Sequence, residues 1–169
     1  HKMKRAFIPA IVIIFVLTIS AITCTPLARD VNPSMNFTIS FPLSVANTYH
    51  VEFEIGNFDN SEMIVKMPQW MPGFYQIMNY SDNMSNLLVE DSGGNSIEFE
   101  QLKNNAWKIS DIKNRSLKIS YDIKATRRFV GNSYVDSTRA YLAPANTFLY
   151  IEGYLKQPVS VSIKMDREW

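Results

Sequence analysis

Apolar and polar residues alternate along most of the chain. Met35, Phe37, Ile39 and Phe41 fall on one face of a first run. Tyr49, Val51, Phe53 and Ile55 repeat the pattern, with His50, Glu52 and Glu54 on the opposite face. Met63, Val65 and Met67 form a third run, and Leu117, Ile119, Tyr121 and Ile123 the most regular one. Leu87 to Glu90, Ile97 to Leu102, Trp107 to Ile109, Phe148 to Glu152 and Val159 to Met165 are further candidates. A period of two is the mark of a strand with one covered face. Turn-forming residues separate the runs, at Asn57-Phe58-Asp59-Asn60, Gly93-Gly94-Asn95 and Lys113-Asn114-Arg115. No segment past the first thirty residues carries a helical period. About nine short strands predict an all-β fold, an antiparallel β-sandwich over residues 35–169. A hydrophobic content of 46% is ample for its core.

The first residues follow a different pattern. Lys2, Lys4 and Arg5 precede Ala6 to Thr23, a run without charge. A basic start followed by an apolar stretch has the form of a secretory signal. The run also reaches the lower edge of a membrane span, so a retained anchor helix is the alternative. Pro9 and the abrupt end at Cys24-Thr25-Pro26 favour processing. Cys24 is the only cysteine and stands directly after the apolar run, in Ala21-Ile22-Thr23-Cys24. This resembles a bacterial lipoprotein box, which implies lipidation of Cys24. The expected organisation is a signal or anchor over 1–23, a tether over 24–34, and the sandwich over 35–169. Export to the bacterial cell envelope, periplasm or outer membrane follows from it, with the membrane as a partner.

Charge narrows the function classes. Loss of residues 1–23 removes three of the 17 basic residues and none of the 16 acidic ones, leaving a net charge of −2. No basic patch points to nucleic acid. Arg127-Arg128 is an isolated pair, expected on a solvated loop. His50 is expected to face water, and with His1 the only other histidine, no metal site is expected in this chain. No Gly-x-Ser-x-Gly elbow is present. Asn36, Asn79, Asn83 and Asn114 open Asn-x-Ser/Thr triplets, which matter only in a eukaryotic secretory host.

The densest motif is Met67-Pro68-Gln69-Trp70-Met71-Pro72-Gly73-Phe74-Tyr75. Pro68 and Pro72 fix φ and cannot donate to a ladder, and Gly73 completes a Pro-Gly turn signal. Pro-x-Trp-x-Pro-Gly-x-Tyr resembles the signature of the N-terminal domain of the glycyl aminopeptidase family of zinc metallopeptidases, the type that includes PDZ-containing aminopeptidases. Further blocks resemble that family in order: Asp91-Ser92-Gly93-Gly94-Asn95, Asn105 to Ile109, Leu117 to Ala125, Asp136 to Tyr141, and Thr147 to Gly153. The resemblance spans about Met35 to Trp169.

That family's catalysis needs His-Glu-x-x-His on a helix, so that two imidazoles one turn apart meet one zinc. This chain has no such motif. The resemblance therefore implies a non-catalytic β-domain whose partner is a missing C-terminal catalytic domain. No catalytic residue and no cofactor are expected here. Zinc and peptide turnover belong to the full-length protein. The alternative is a free-standing envelope lipoprotein that binds a ligand or partner through its aromatic loop.

The candidate site residues are Trp70, Pro72, Gly73, Tyr75, Tyr80 and Arg139, as family motif or cleft wall. Trp70 is expected to be a packed anchor, because large aromatics are usually covered. Tyr75 and Tyr80 are open between core and cleft wall. Arg139 could hold a carboxylate, but an ion pair with nearby Asp136 is the expected state.

Overall fold

The computed structural model describes residues 32–42 and 46–165. The signal or anchor helix, Cys24 and most of the tether fall outside the described residues. Eleven strands run in chain order: β1 Ser34–Ser40, β2 Thr48–Gly56, β3 Glu62–Lys66, β4 Met84–Asp91, β5 Phe99–Lys103, β6 Ala106–Ser110, β7 Leu117–Lys124, β8 Tyr134–Val135, β9 Ala140–Tyr141, β10 Tyr150–Ile151 and β11 Ser160–Lys164. A 3-10 turn at Tyr80–Asn83 and one helical turn, α1 at Pro144–Thr147, are the helical parts. Among the described residues, no helix is long and apolar enough to cross a membrane.

The strands form a five-stranded sheet, ordered β11-β1-β2-β7-β4, and a four-stranded sheet, ordered β10-β3-β6-β5. The small β8-β9 ribbon stands apart. The all-β sandwich is as the alternation predicts, with one correction. The β1–β11 pair is parallel, so the sandwich is not wholly antiparallel. Parallel strands need a crossover, and here the rest of the domain lies between them. The predicted strand at Ile97 to Leu102 begins two residues later, at Phe99. The one at Phe148 to Glu152 shrinks to Tyr150–Ile151, between α1 and the left-handed Gly153.

The period of two places the core. Met35, Phe37 and Ile39 of β1, Tyr49, Val51, Phe53 and Ile55 of β2, and Leu117, Ile119, Tyr121 and Ile123 of β7 are all buried. Met63, Val65, Trp107 and Ile109 answer them from the other sheet. Phe37 stacks on Phe53 at 4.1 Å between ring centroids and meets Phe148 edge-on at 4.8 Å. On the outer face of the larger sheet, Lys118 lies 3.0 Å from Glu90, and His50 Nδ1 lies 2.7 Å from Asp122 Oδ1. Cross-strand pairs of this kind favour the observed register. They also refine the reading of His50, which is part-exposed but hydrogen-bonded.

One polar cluster interrupts the apolar interior. The Tyr49 hydroxyl, fully buried, lies 2.9 Å from Ser133 Oγ and 2.8 Å from Thr147 Oγ1. Tyr121 donates to the Thr147 carbonyl at 2.8 Å and accepts from the Leu149 amide at 3.2 Å. Ser133 Oγ accepts from the Ala143 amide, and Thr147 Oγ1 donates to the Ala143 carbonyl. Two inner-face tyrosines thus fasten the segment that follows β7 to the central strands. A buried hydroxyl without a partner costs about 1–3 kcal/mol, so the cluster holds as a unit.

Burial pushes the Tyr49 phenol from 10.0 up to about 12. A raised phenol pKa means that the unfolded chain ionises first. The Tyr49 contribution to stability is therefore fully present below pH 10 and is lost as the pH rises through about 12. Urea unfolding of the 1–169 chain at stepped alkaline pH should show that decline. Tyr49→Phe should lower stability at pH 7 by about 1–3 kcal/mol and flatten the alkaline slope.

Candidate functional site

The Pro-Trp-Pro-Gly segment leaves the sandwich at the end of β3. Met67 is fully buried, and its backbone is pinned to Asn105 by a 2.9 Å bond from the Met67 amide and a 2.8 Å bond from the Asn105 side chain. Beyond it, Met71-Pro72-Gly73-Phe74 closes through the Phe74 amide to the Met71 carbonyl at 3.2 Å. Gly73 has φ +88, which suits the third position of a type II turn. The loop is closed again by the Met78 amide on the Gln69 carbonyl at 2.7 Å. Two closures on one short loop restrict its backbone.

A second segment packs against this turn. Phe129 meets Phe74 edge-on, with ring centroids 4.9 Å apart. Gly131 passes so near Met71 that a Cβ there would sit 3.2 Å from the Met71 sulfur. Arg127 covers the other part of Phe129, its guanidinium 5.1 Å from the ring centre. Arg128 lies 4.7 Å above the Tyr134 ring and 3.1 Å from Asp136 Oδ2. The arginine pair is exposed on a loop, as expected, and its guanidiniums also cover the Phe129 and Tyr134 rings. The signal available in the sequence was the Phe, Tyr and Asp within nine residues of it.

Asp136 organises the β8-β9 ribbon. Its Oδ1 accepts from the Thr138 hydroxyl, the Thr138 amide and the Arg139 amide, at 2.7, 2.7 and 3.0 Å. Its Oδ2 accepts from the Tyr134 hydroxyl at 2.9 Å. These bonds, the Thr138 hydroxyl first, hold the Asp136 carboxyl well below the usual carboxylate range. Asp136 therefore pairs with Arg128, and the Arg139 guanidinium makes no ion pair among the described residues. The expected Asp136–Arg139 bridge is corrected to a backbone contact. Arg139 lines a cleft of about 470 Å³ with Arg128, Phe129, Val130, Tyr134 and Tyr141.

Exposure sorts the predicted residues. Trp70 is 53% exposed and Tyr75 92% exposed, so Trp70 is not the packed anchor the sequence suggests. The prolines and the closed turn leave the indole about half in solvent. Tyr80 is fully buried and cannot be a cleft wall. It sits in the 3-10 turn beside α1. Pro72 and Gly73 shape the turn, and Phe129 links it to the Arg139 cleft. Phe129, Tyr134 and Tyr141 were not singled out in the sequence. They lie in short irregular segments without a readable period. Among the described residues, no group of three or more His, Cys, Asp or Glu side chains stands close enough to hold a metal.

The model of the peptidase M61 N-terminal domain matches residues 36–169. The chain belongs to that family, the N-terminal domain of M61, or glycyl aminopeptidase, proteins. No curated protein matches it in a sequence search. Among solved structures it is similar to an aminopeptidase N family protein from Idiomarina loihiensis. The TM-score is 0.71 at 20% identity, over 78% of this chain and 22% of that one. That likeness shows a shared fold. An M1 zinc metallopeptidase from Deinococcus radiodurans matches at a TM-score of 0.37 and 8% identity, over 79% of this chain and 32% of that one. This M61 domain thus spans about a fifth of the length of the first of these proteins.

Exposure sets the stability expectation for two of the three tryptophans. Trp70→Ala should shift urea unfolding by no more than about 1 kcal/mol, as for surface positions. Trp107→Ala, at a core position, should cost about 3–5 kcal/mol. Gly73→Val should cost about 1–3 kcal/mol from backbone strain alone, since a Cβ at Gly73 meets no atom within 4 Å. A large Trp70 effect would return the indole to the core.

Proposed function

We propose that this M61 domain is the non-catalytic N-terminal part of an exported zinc aminopeptidase. It packs on the catalytic domain and contributes the Trp70–Tyr75 turn to the wall of the substrate cleft. The observation that carries this reading is the exposure of Trp70, Tyr75 and Tyr141 on segments fixed by hydrogen bonds and ring contacts. Exposed apolar groups held in place mark an interaction surface. In this proposal zinc and the hydrolytic step belong to the catalytic domain.

A second uncovered surface supports the packing role. The register sets Val161 beside Phe37 and Ile163 beside Ile39, on the face that elsewhere forms the core. Yet Val159, Val161, Ile163 and Met165 remain about half exposed. The five-stranded sheet extends past its four-stranded cover here, and β11 is its open edge. In this proposal the catalytic domain, or the chain leading to it, covers that face.

Membrane attachment through Cys24 is part of the same proposal. The expressed 1–169 chain should yield a mature N-terminus of lipidated Cys24 by mass spectrometry. An unmodified Cys24, or one that remains joined to residues 1–23, contradicts it. In a full-length enzyme carrying this domain, the double variant Trp70→Ala, Tyr75→Ala should raise KM for peptides by about tenfold. The melting temperature should hold. That pattern is loss of substrate contact rather than of fold. Unchanged kinetics would leave the turn without a role at the cleft.

A further inference from the structure

We infer that the Arg139 cleft is a binding site for an apolar carboxylate, such as the C-terminal residue of a peptide. The lining residues all belong to this domain, so the inference goes beyond the proposed packing role and is tested on the domain alone.

Three observations converge on it. The first is an uncommitted guanidinium. Arg139 is exposed and makes no ion pair among the described residues, although Asp136 lies three residues before it. Asp136 is already engaged by the Arg128 guanidinium, the Tyr134 and Thr138 hydroxyls and two backbone amides. Its charge is matched by Arg128, and Arg139 adds an unbalanced positive charge at the cleft.

The second is the lining. Phe129, Val130, Ala140 and Tyr141 supply an apolar wall beside the guanidinium. At about 470 Å³ the cleft falls within the range of sites for small molecules. A guanidinium beside an apolar wall selects an anion attached to an apolar body. Its planar fork of donors matches both oxygens of a carboxylate.

The third is rigidity. The Tyr141 hydroxyl donates to the Val130 carbonyl at 3.0 Å, tying β9 to the segment that carries Phe129. The Arg128–Tyr134 stack and the Phe74–Phe129 contact hold the opposite side. A ligand entering here orders few groups on binding, which lowers the entropic cost.

The test is a titration of the 1–169 chain, followed by NMR of the arginine side-chain Nε–H signals. Acetyl-Ala-Phe is the probe, with acetyl-Ala-Phe-amide, hexanoate and inorganic phosphate as comparisons. Acetyl-Ala-Phe should shift the Arg139 signal with a dissociation constant on the order of 1 mM. The amide should bind at least tenfold more weakly. Arg139→Gln should lose the binding while its melting temperature stays unchanged. Arg139→Lys should keep only part of it. Hexanoate tighter than the peptide would place the carboxylate on a fatty acid rather than a peptide, within the same inference. Absence of any shift at 20-fold excess over that constant would overturn it. So would equal binding of acid and amide, equal binding by Arg139→Gln, or phosphate binding as tight as the peptide's.

Discussion

The architecture turns on two phenols inside an apolar core. Tyr49 and Tyr121 come from adjacent central strands, and both hydroxyls point at the segment that returns from β7 to β10. That segment is almost all loop, with two residues in each of β8 and β9 and a single helical turn. It has too little ladder of its own to hold a shape. The hydroxyls of Tyr49, Ser133 and Thr147, with the Thr147 carbonyl and the Leu149 amide, supply the missing constraint. Everything at the cleft end is built on this attachment. Ser133 precedes β8, Tyr134 and Tyr141 stand in β8 and β9, and Asp136 and Arg139 in the turn between them. Phe129 then passes the position on to the Pro-Gly turn through Phe74.

The same contrast explains what was legible in the sequence. Where a strand has one face on the core, the chain must alternate, and a period of two can be read directly. The inner residues of β1, β2, β3 and β7 follow from that rule. The rule is silent on β8 and β9, because two residues cannot display a period. It is also silent on partner choice, so the parallel seating of β11 beside β1 came only with the coordinates. The family signature found the Pro-Trp-Pro-Gly turn and the Thr-Arg-Ala-Tyr block but not their relation. Phe129 joins them, and nothing in its immediate sequence marks it.

Exposure of Trp70 and burial of Tyr80 follow from where each leaves the sheet. Trp70 stands between two prolines, in a loop that closes on itself through the Phe74–Met71 and Met78–Gln69 backbone bonds instead of joining a sheet. Tyr80 opens a 3-10 turn that rejoins the sandwich at β4, and its ring enters the interior. Average burial tendencies cannot separate two aromatics of one loop, whereas the backbone geometry does. Asp136 offers a parallel case. Sequence distance favours Arg139 as its partner, but the hydroxyl and amide donors around it fix its oxygens toward Arg128. Arg139 is left over, and an unused cation beside an apolar wall is a chemical opportunity rather than a structural device.

The central proposal is that the turn carrying Trp70 and the uncovered face of β11 meet the rest of a longer M61 protein, the turn at the border of its substrate cleft. Amide hydrogen exchange, compared between this domain alone and the full-length protein, tests it most directly. The account predicts added protection at Gln69–Tyr75 and Val159–Met165 in the full-length protein, with little change on the outer face of β2 and β7. Equal exchange at both segments in the two proteins would contradict it.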